Sequence, residues 1–177
     1  MFKLKQILEA ANKALKNEGH KLTIEKTPGH RGYFSICEGN MVLAHTYKHA
    51  SPTTMLYNVS NAVIGIIKQG CLDFNVGTWE SVNLNDEKFF ISIWTKPISA
   101  DLAWIVSLEG ETVKVVEKRV TKIIRGTNFT IVNNEEMAVK EWKMSVEEYF
   151  EALVGMLLLV KQTSRRANQD ADDEDTA

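Results

Sequence analysis

Cysteine is scarce in this chain of 177 residues: Cys37 and Cys71 are the whole supply. One bridge at most is available, which excludes a disulfide-stapled fold and suits reduced thiols. Glycine (10) and proline (3) are also few, so the sequence is neither collagen-like nor a Pro/Gly linker. Long apolar runs are missing as well. The longest, residues 152–160, is interrupted by Gly155, and a membrane-spanning helix takes about 20 residues. Lys13 and Lys16 interrupt any apolar leader region, and no small-x-small site follows one. The expectation is a cytoplasmic protein with no membrane partner.

Chemical motifs are missing too. No glycine-rich loop is followed by Lys-Ser/Thr, and none sits between a strand and a helix of a parallel unit. His30, Cys37, His45, His49 and Cys71 lack the spacing of a metal site. His45 and His49 fall on one strand face, about 13 Å apart, too far to share an ion. Cys37 lies where a hairpin could bring it near His45, but Ile36-Cys37 reads as strand core. The carboxylate pairs Asp86/Glu87 and Glu135/Glu136 fall in turns, where solvation explains them. No catalytic residue, metal ligand or cofactor is expected. An enzyme would need a pocket assembled from distant residues.

What is present is an ordinary globular composition, 44% apolar and 25% charged, enough for one domain with its own core. Helix-period apolar stripes predict three helices, over residues 2–17, 52–69 and 146–162. Ser51-Pro52 is an N-cap followed by proline at the first helical position. Ser145 and Glu148 have the spacing of a capping box. Between the helices the period drops to two. Strands are expected over 21–27, 33–37 and 41–49, then over 89–95, 102–108, 112–117, 120–124, 129–132 and 137–143. A bulge is expected near Glu117. The fold class is therefore α+β: antiparallel sheet or sheets with three main helices, in the order α-βββ-α-(about six β)-α. The domain is expected over residues 1–166. Residues 167–177 are expected to form a disordered acidic tail, with five carboxylates and no base among the last ten residues. Without those five, the formal charge of −2 becomes +3 for residues 1–167.

Two surfaces suggest function. The third helix is apolar nearly all round at Gly155, Met156, Leu157, Leu159 and Val160. Such a helix is either central or covered by another chain. A protein partner is expected there, with a homodimer as the first case and Leu157 or a neighbour at its interface. The protein then works without catalysis, as an adaptor, chaperone or inhibitor. The alternative is a binder of single-stranded DNA or RNA. Lys114, Lys118, Arg119, Lys122 and Arg125, followed by Phe129, interleave cations with an aromatic on predicted strands. Trp94, Trp104 and Trp142 lie on neighbouring predicted strands. On that reading the acidic tail is autoinhibitory, competing with phosphate for the basic strand. In element order, and in no motif, the chain resembles small acidic secretion chaperones. That resemblance implies a dimer that holds a client segment, although the second half here carries more strands than the chaperone pattern.

Overall fold

The structure is a computed structural model that describes residues 3–81, 83, 85–95, 98–125, 128–130 and 139–175. At 95, 98–101, 119–125, 128–130, 139 and 165–175 it describes the backbone alone. Three helices, α1 (Leu4–Leu15), α2 (Pro52–Lys68) and α3 (Val146–Asp175), pack between two antiparallel sheets. The smaller sheet is β1 (Thr23–Lys26), β2 (Tyr33–Glu38) and β3 (Met41–Tyr47), in that order. The larger runs β4 (Phe74–Ser81), β5 (Lys88–Thr95), β6 (Ile98–Glu109), β7 (Thr112–Arg125) and β8 (Asn128–Thr130), and β9 (Val139–Met144) also pairs with β7. The expected α+β class, its antiparallel pairing and its element order are all present.

Caps set the helix starts. The Ser51 hydroxyl accepts from the Thr54 N–H at 3.2 Å. At α3 the predicted box closes both ways: Glu148 N–H donates to Ser145 Oγ at 3.1 Å, and Ser145 N–H to Glu148 Oε1 at 3.3 Å. Helix α1 starts at Leu4 rather than residue 2, where the Gln6 side chain accepts from the Lys3 N–H. Helix α3 continues to Asp175, past the end expected at 162. No glycine or proline follows Gly155 to stop it.

Two strand expectations are corrected. Residues 74–81 carried no predicted strand, because Asn75 and Gly77 are poor strand formers. Pairing with β5 overrides that weakness over the full length Phe74↔Thr95 to Ser81↔Lys88. Residues 112–125 form one strand without the expected bulge, in even register from Ile98↔Ile123 to Glu109↔Thr112. The charge at Glu117 looked like a break in the apolar alternation. It is instead an inward-facing residue, buried beside Trp104, whose indole Nε1–H donates to Glu117 Oε1 at 3.1 Å.

Strand alternation puts Phe89, Ile91, Ile93, Trp104, Val106, Val113 and Val115 on the helix side of the larger sheet. Helix α3 lies across that side and against α1 and α2, with Tyr149, Phe150, Leu153 and Leu157 fully buried. One polar relay fastens α3 to α2. Tyr149 donates to Ser60 Oγ at 2.7 Å, and Ser60 donates on to the Leu56 carbonyl at 2.7 Å. Burial raises the Tyr149 hydroxyl well above the ordinary tyrosine range, against a smaller lowering by Ser60.

Ser60→Ala leaves the buried phenol without an acceptor and is expected to cost about 1–3 kcal/mol. Tyr149→Phe leaves Ser60 still bonded to Leu56 and is expected to cost less, about 1 kcal/mol. Urea unfolding of both variants checks the order, and a reversed order contradicts the relay. The pH dependence has a definite sign. Above about pH 10, unfolded chains ionise this hydroxyl while folded ones keep it protonated. Its contribution to stability is therefore complete below that pH and is lost as pH rises, by up to about 1.4 kcal/mol per pH unit. Unfolding at rising pH should show a shallower loss for Tyr149→Phe than for the wild type.

Candidate functional site

The helices cover one face of the larger sheet. The other face is built by the alternate residues of the same strands. Register aligns Trp79 with Phe90, Phe90 with Ile105 and Ile105 with Val116, so four adjacent strands contribute one apolar row. None of the four belongs to the core. Phe90, Ile105 and Val116 are half-buried, and Trp79 is 49% exposed. The Trp79 and Phe90 rings stack with centroids 5.1 Å apart and planes 11° from parallel. Lys88 Nζ lies 6.0 Å from the Phe90 centroid, within the range of a cation–π contact.

Trp94 extends the aromatic surface one row further. Its indole lies over Gly77, where a Cβ would come within 3.1 Å of two ring atoms. Gly77 is thus the seat of a ring, which explains a residue that otherwise weakens β4.

Charges at the ends of the row are of both signs. Lys114 Nζ is 3.8 Å from Glu109 and 3.4 Å from Glu141, and Lys143 is 3.3 Å from Glu109. Lys88 is 2.9 Å from Asp86. These pairs are partly exposed, so they add little to stability. Their effect is to give the face a charge-balanced rim.

The residues singled out in the sequence fall as follows. Lys114 and Lys118 share the uncovered face with Val116, but Lys114 is matched by two carboxylates. The side chains of Arg119, Lys122, Arg125 and Phe129 lie outside the described residues, as do those of the acidic tail. Trp94 is on the uncovered face. Trp104 is buried on the opposite one, where it meets Trp142 edge-on. On α3 the expected partner surface is corrected at Leu157, which is fully buried in the chain's own core. The side of the helix that carries Leu153, Val154 and Leu157 packs against the sheet and the other helices. Met156 and Val160 are half-buried. Gly155 and Leu159 are exposed, Leu159 at 64%, and isolated exposed apolar residues are ordinary. The sequence reading missed the Trp79–Val116 row. The alternation of 89–95 was legible, but which of its faces the helices cover was not.

Cys37 and His45, which the sequence could bring together, do not meet. Cys37 is buried, and its thiol is raised above the ordinary value by that burial and then by Glu25. A raised thiol is a poor nucleophile at neutral pH. His45 faces Ser35 instead, Nδ1 to Oγ at 3.4 Å, while Ser35 also bonds Thr27 at 3.0 Å. Cys71 is buried and free. Among the described residues no three His, Cys, Asp or Glu side chains group closely enough to hold a metal ion, and no helix is long and apolar enough to cross a membrane. No family model, curated protein or solved structure matches this chain.

Two glycines test these placements. Gly77→Ala must displace the Trp94 ring. It is expected to cost about 1–3 kcal/mol and to change the near-ultraviolet circular dichroism. Gly155→Ala meets nothing within 4 Å and is expected to stabilise the helix by about 0.5–1 kcal/mol with no change in molecular mass in solution. A destabilised Gly155→Ala, or one with altered association, would place a partner on α3 after all.

Proposed function

We propose that this protein acts by binding another protein, without catalysis, through the uncovered face of its larger sheet, and that a second copy of the chain occupies that face. The observation that carries the reading is the row Trp79–Phe90–Ile105–Val116, an apolar band from four strands that belongs to no core. A sheet normally buries one face and wets the other with polar residues. Here the wetted face holds a half-exposed tryptophan stacked on a phenylalanine, the side-chain types enriched at the centres of protein interfaces. The rim favours a like partner. It carries Lys114, Lys143 and Lys88 beside Glu109, Glu141 and Asp86. A two-fold axis can set lysines of one copy against carboxylates of the other, the self-complementarity that an isologous contact requires. The same pairing weighs against nucleic acid on this face, since phosphate would have to displace carboxylates from Lys114.

Analytical ultracentrifugation over a range of concentrations tests this reading. The wild type is expected to dimerise. Ile105→Asp puts a charge into the middle of the row and is expected to give a folded monomer, because an unpaired charge in a covered apolar patch opposes association directly. Trp79→Ala, at an exposed position, is expected to weaken the dimer about tenfold or more. A wild type that stays monomeric at the highest concentration reached refutes the second copy as occupant.

A further inference from the structure

A different surface, at the end of the smaller sheet, has concavities lined by charge of one sign. The β1–β2 loop and the turn after β3 enclose an open cavity of about 830 Å3 whose lining includes Lys26, His30, Arg31 and Lys48. A second cavity of about 460 Å3 adjoins it, sharing Phe34 and Lys48, and adds Lys3 and Lys5 from the start of α1. Among the described residues, neither lining contains a carboxylate. Among the described residues, none of Lys3, Lys5, Lys26, Arg31 and Lys48 has an ion-pair partner, and all five are exposed. The contrast with Lys114 and its two carboxylates is direct. Five unmatched cations around two joined concavities repel one another, a cost that an anionic ligand would relieve.

The loop geometry opens the concavity. Gly29 and Gly32 both have φ +77°, and a Cβ at either would meet nothing within 4 Å. Two left-handed residues let the chain turn twice within Pro28–Tyr33 without a side chain filling the space. The Lys48 N–H donates to the Gly32 carbonyl at 2.7 Å, which fixes the loop to the end of β3.

Exposed rings stand beside these cations. Tyr33 and Tyr47 are directly opposite across β2 and β3, 50% and 41% exposed, with ring centroids 5.9 Å apart. His30 meets Tyr33 edge-on at 6.1 Å. An acidic peptide or free phosphate would use the cations and leave the rings idle. A single-stranded nucleic acid uses both, since cations follow its backbone while its unpaired bases stack on aromatic faces. We infer that this end of the smaller sheet is a binding site for single-stranded nucleic acid, with phosphates held by Lys3, Lys5, Lys26, Arg31 and Lys48 and bases stacked on Tyr33 and Tyr47. The inference is independent of the dimer face, which lies on the other sheet, and it places the nucleic-acid contact away from the basic strand β7.

Fluorescence anisotropy of a short mixed-sequence oligodeoxynucleotide, titrated with the full-length protein at several salt concentrations, tests the site. Binding is expected at low salt, with affinity falling as salt rises. Replacing Arg31 and Lys48 together by Ala is expected to weaken it about tenfold or more and to flatten the plot of log affinity against log salt by about 1.4, at about 0.7 per lost single-strand phosphate contact. Tyr33→Ala is expected to weaken binding while leaving that slope unchanged, because it removes stacking and no charge. Lys114→Ala and Ile105→Asp are expected to leave binding intact, which separates this site from β7 and from the dimer face. All the replaced charged and tyrosine side chains but Lys114 are exposed, and circular dichroism verifies the fold of each variant. Absence of binding at low salt refutes the site, as does binding that survives the Arg31/Lys48 change. Polyglutamate competing as well as the oligonucleotide, with Tyr33→Ala without effect, identifies an acidic protein as the ligand and overturns the nucleic-acid assignment.

Discussion

Helix α2 touches both sheets and both other helices, and the arrangement of both sheets depends on those contacts. From Ser51 to Lys68 no residue of the helix is exposed. Its apolar stripe, from Leu56 through Val59 and Val63 to Ile67, faces the common core. Its polar residues are taken up by the edge strands on either side. Asn58 donates to Thr46 on β3 at 3.1 Å, while Asn61 accepts from Thr78 on β4 at 2.6 Å. Thr54 donates to Glu80 on β4 at 3.1 Å. The Ser60–Tyr149 relay then adds α3 from the side of the core. A helix held by polar contacts to two sheets and by apolar contacts to two helices fixes where each sheet sits. Every hydrogen-bonding group in such a place must find a partner, because burying one unsatisfied costs more than the bond itself yields.

From this arrangement follow two outward surfaces of opposite character. Both sheets give one face to the helices, so each presents its alternate residues outward. On the larger sheet those residues form an aromatic and aliphatic row whose flanking lysines are matched by carboxylates. At the end of the smaller sheet the lysines and Arg31 are unmatched and stand beside tyrosines. Cation count distinguishes the two poorly. What separates them is whether an acid lies within reach. An ion-paired lysine leaves little field to attract phosphate, whereas several unpaired ones around a concavity reinforce each other. An apolar face with a balanced rim suits a protein, and a cationic, ring-bearing end suits a polyanion with bases.

Buried polar groups in this core serve packing and register. Glu117 bonds the Trp104 indole, Tyr149 is pushed toward its neutral form by burial, and Cys37 is held as a thiol. Perturbed groups often mark active sites, but such groups must also converge on a cleft, and Tyr149 and Cys37 lie on separate elements facing different neighbours.

Local chemistry was enough to read most of the element order. The Ser51-Pro52 and Ser145/Glu148 caps and the helix-period stripes act over a few residues, so they speak for themselves. Strand β4 was not legible, since Asn75 and Gly77 are tolerated only because β5 pairs along the whole strand and Trp94 fills the space above the glycine. Nor was the continuity of β7, because Glu117 fits an inward position only with the Trp104 indole opposite it. The role of α3 also depended on its neighbours: the apolar belt around Leu157 suits a helix covered by another chain as well as one wedged inside its own. The basic residues show the same division. Lys114 stood out because its cationic neighbours are adjacent in sequence, yet Glu109 and Glu141 reach it across the sheet. Lys3, Lys26, Arg31 and Lys48 are scattered over 46 positions of the chain and gather only when β1, β2 and β3 pair and α1 packs beside them. Periodicity and capping are properties of neighbours along the chain, so the sequence alone determined the three helices and most of the strands. Charge balance and exposure are properties of neighbours in space, and those only the tertiary structure decided.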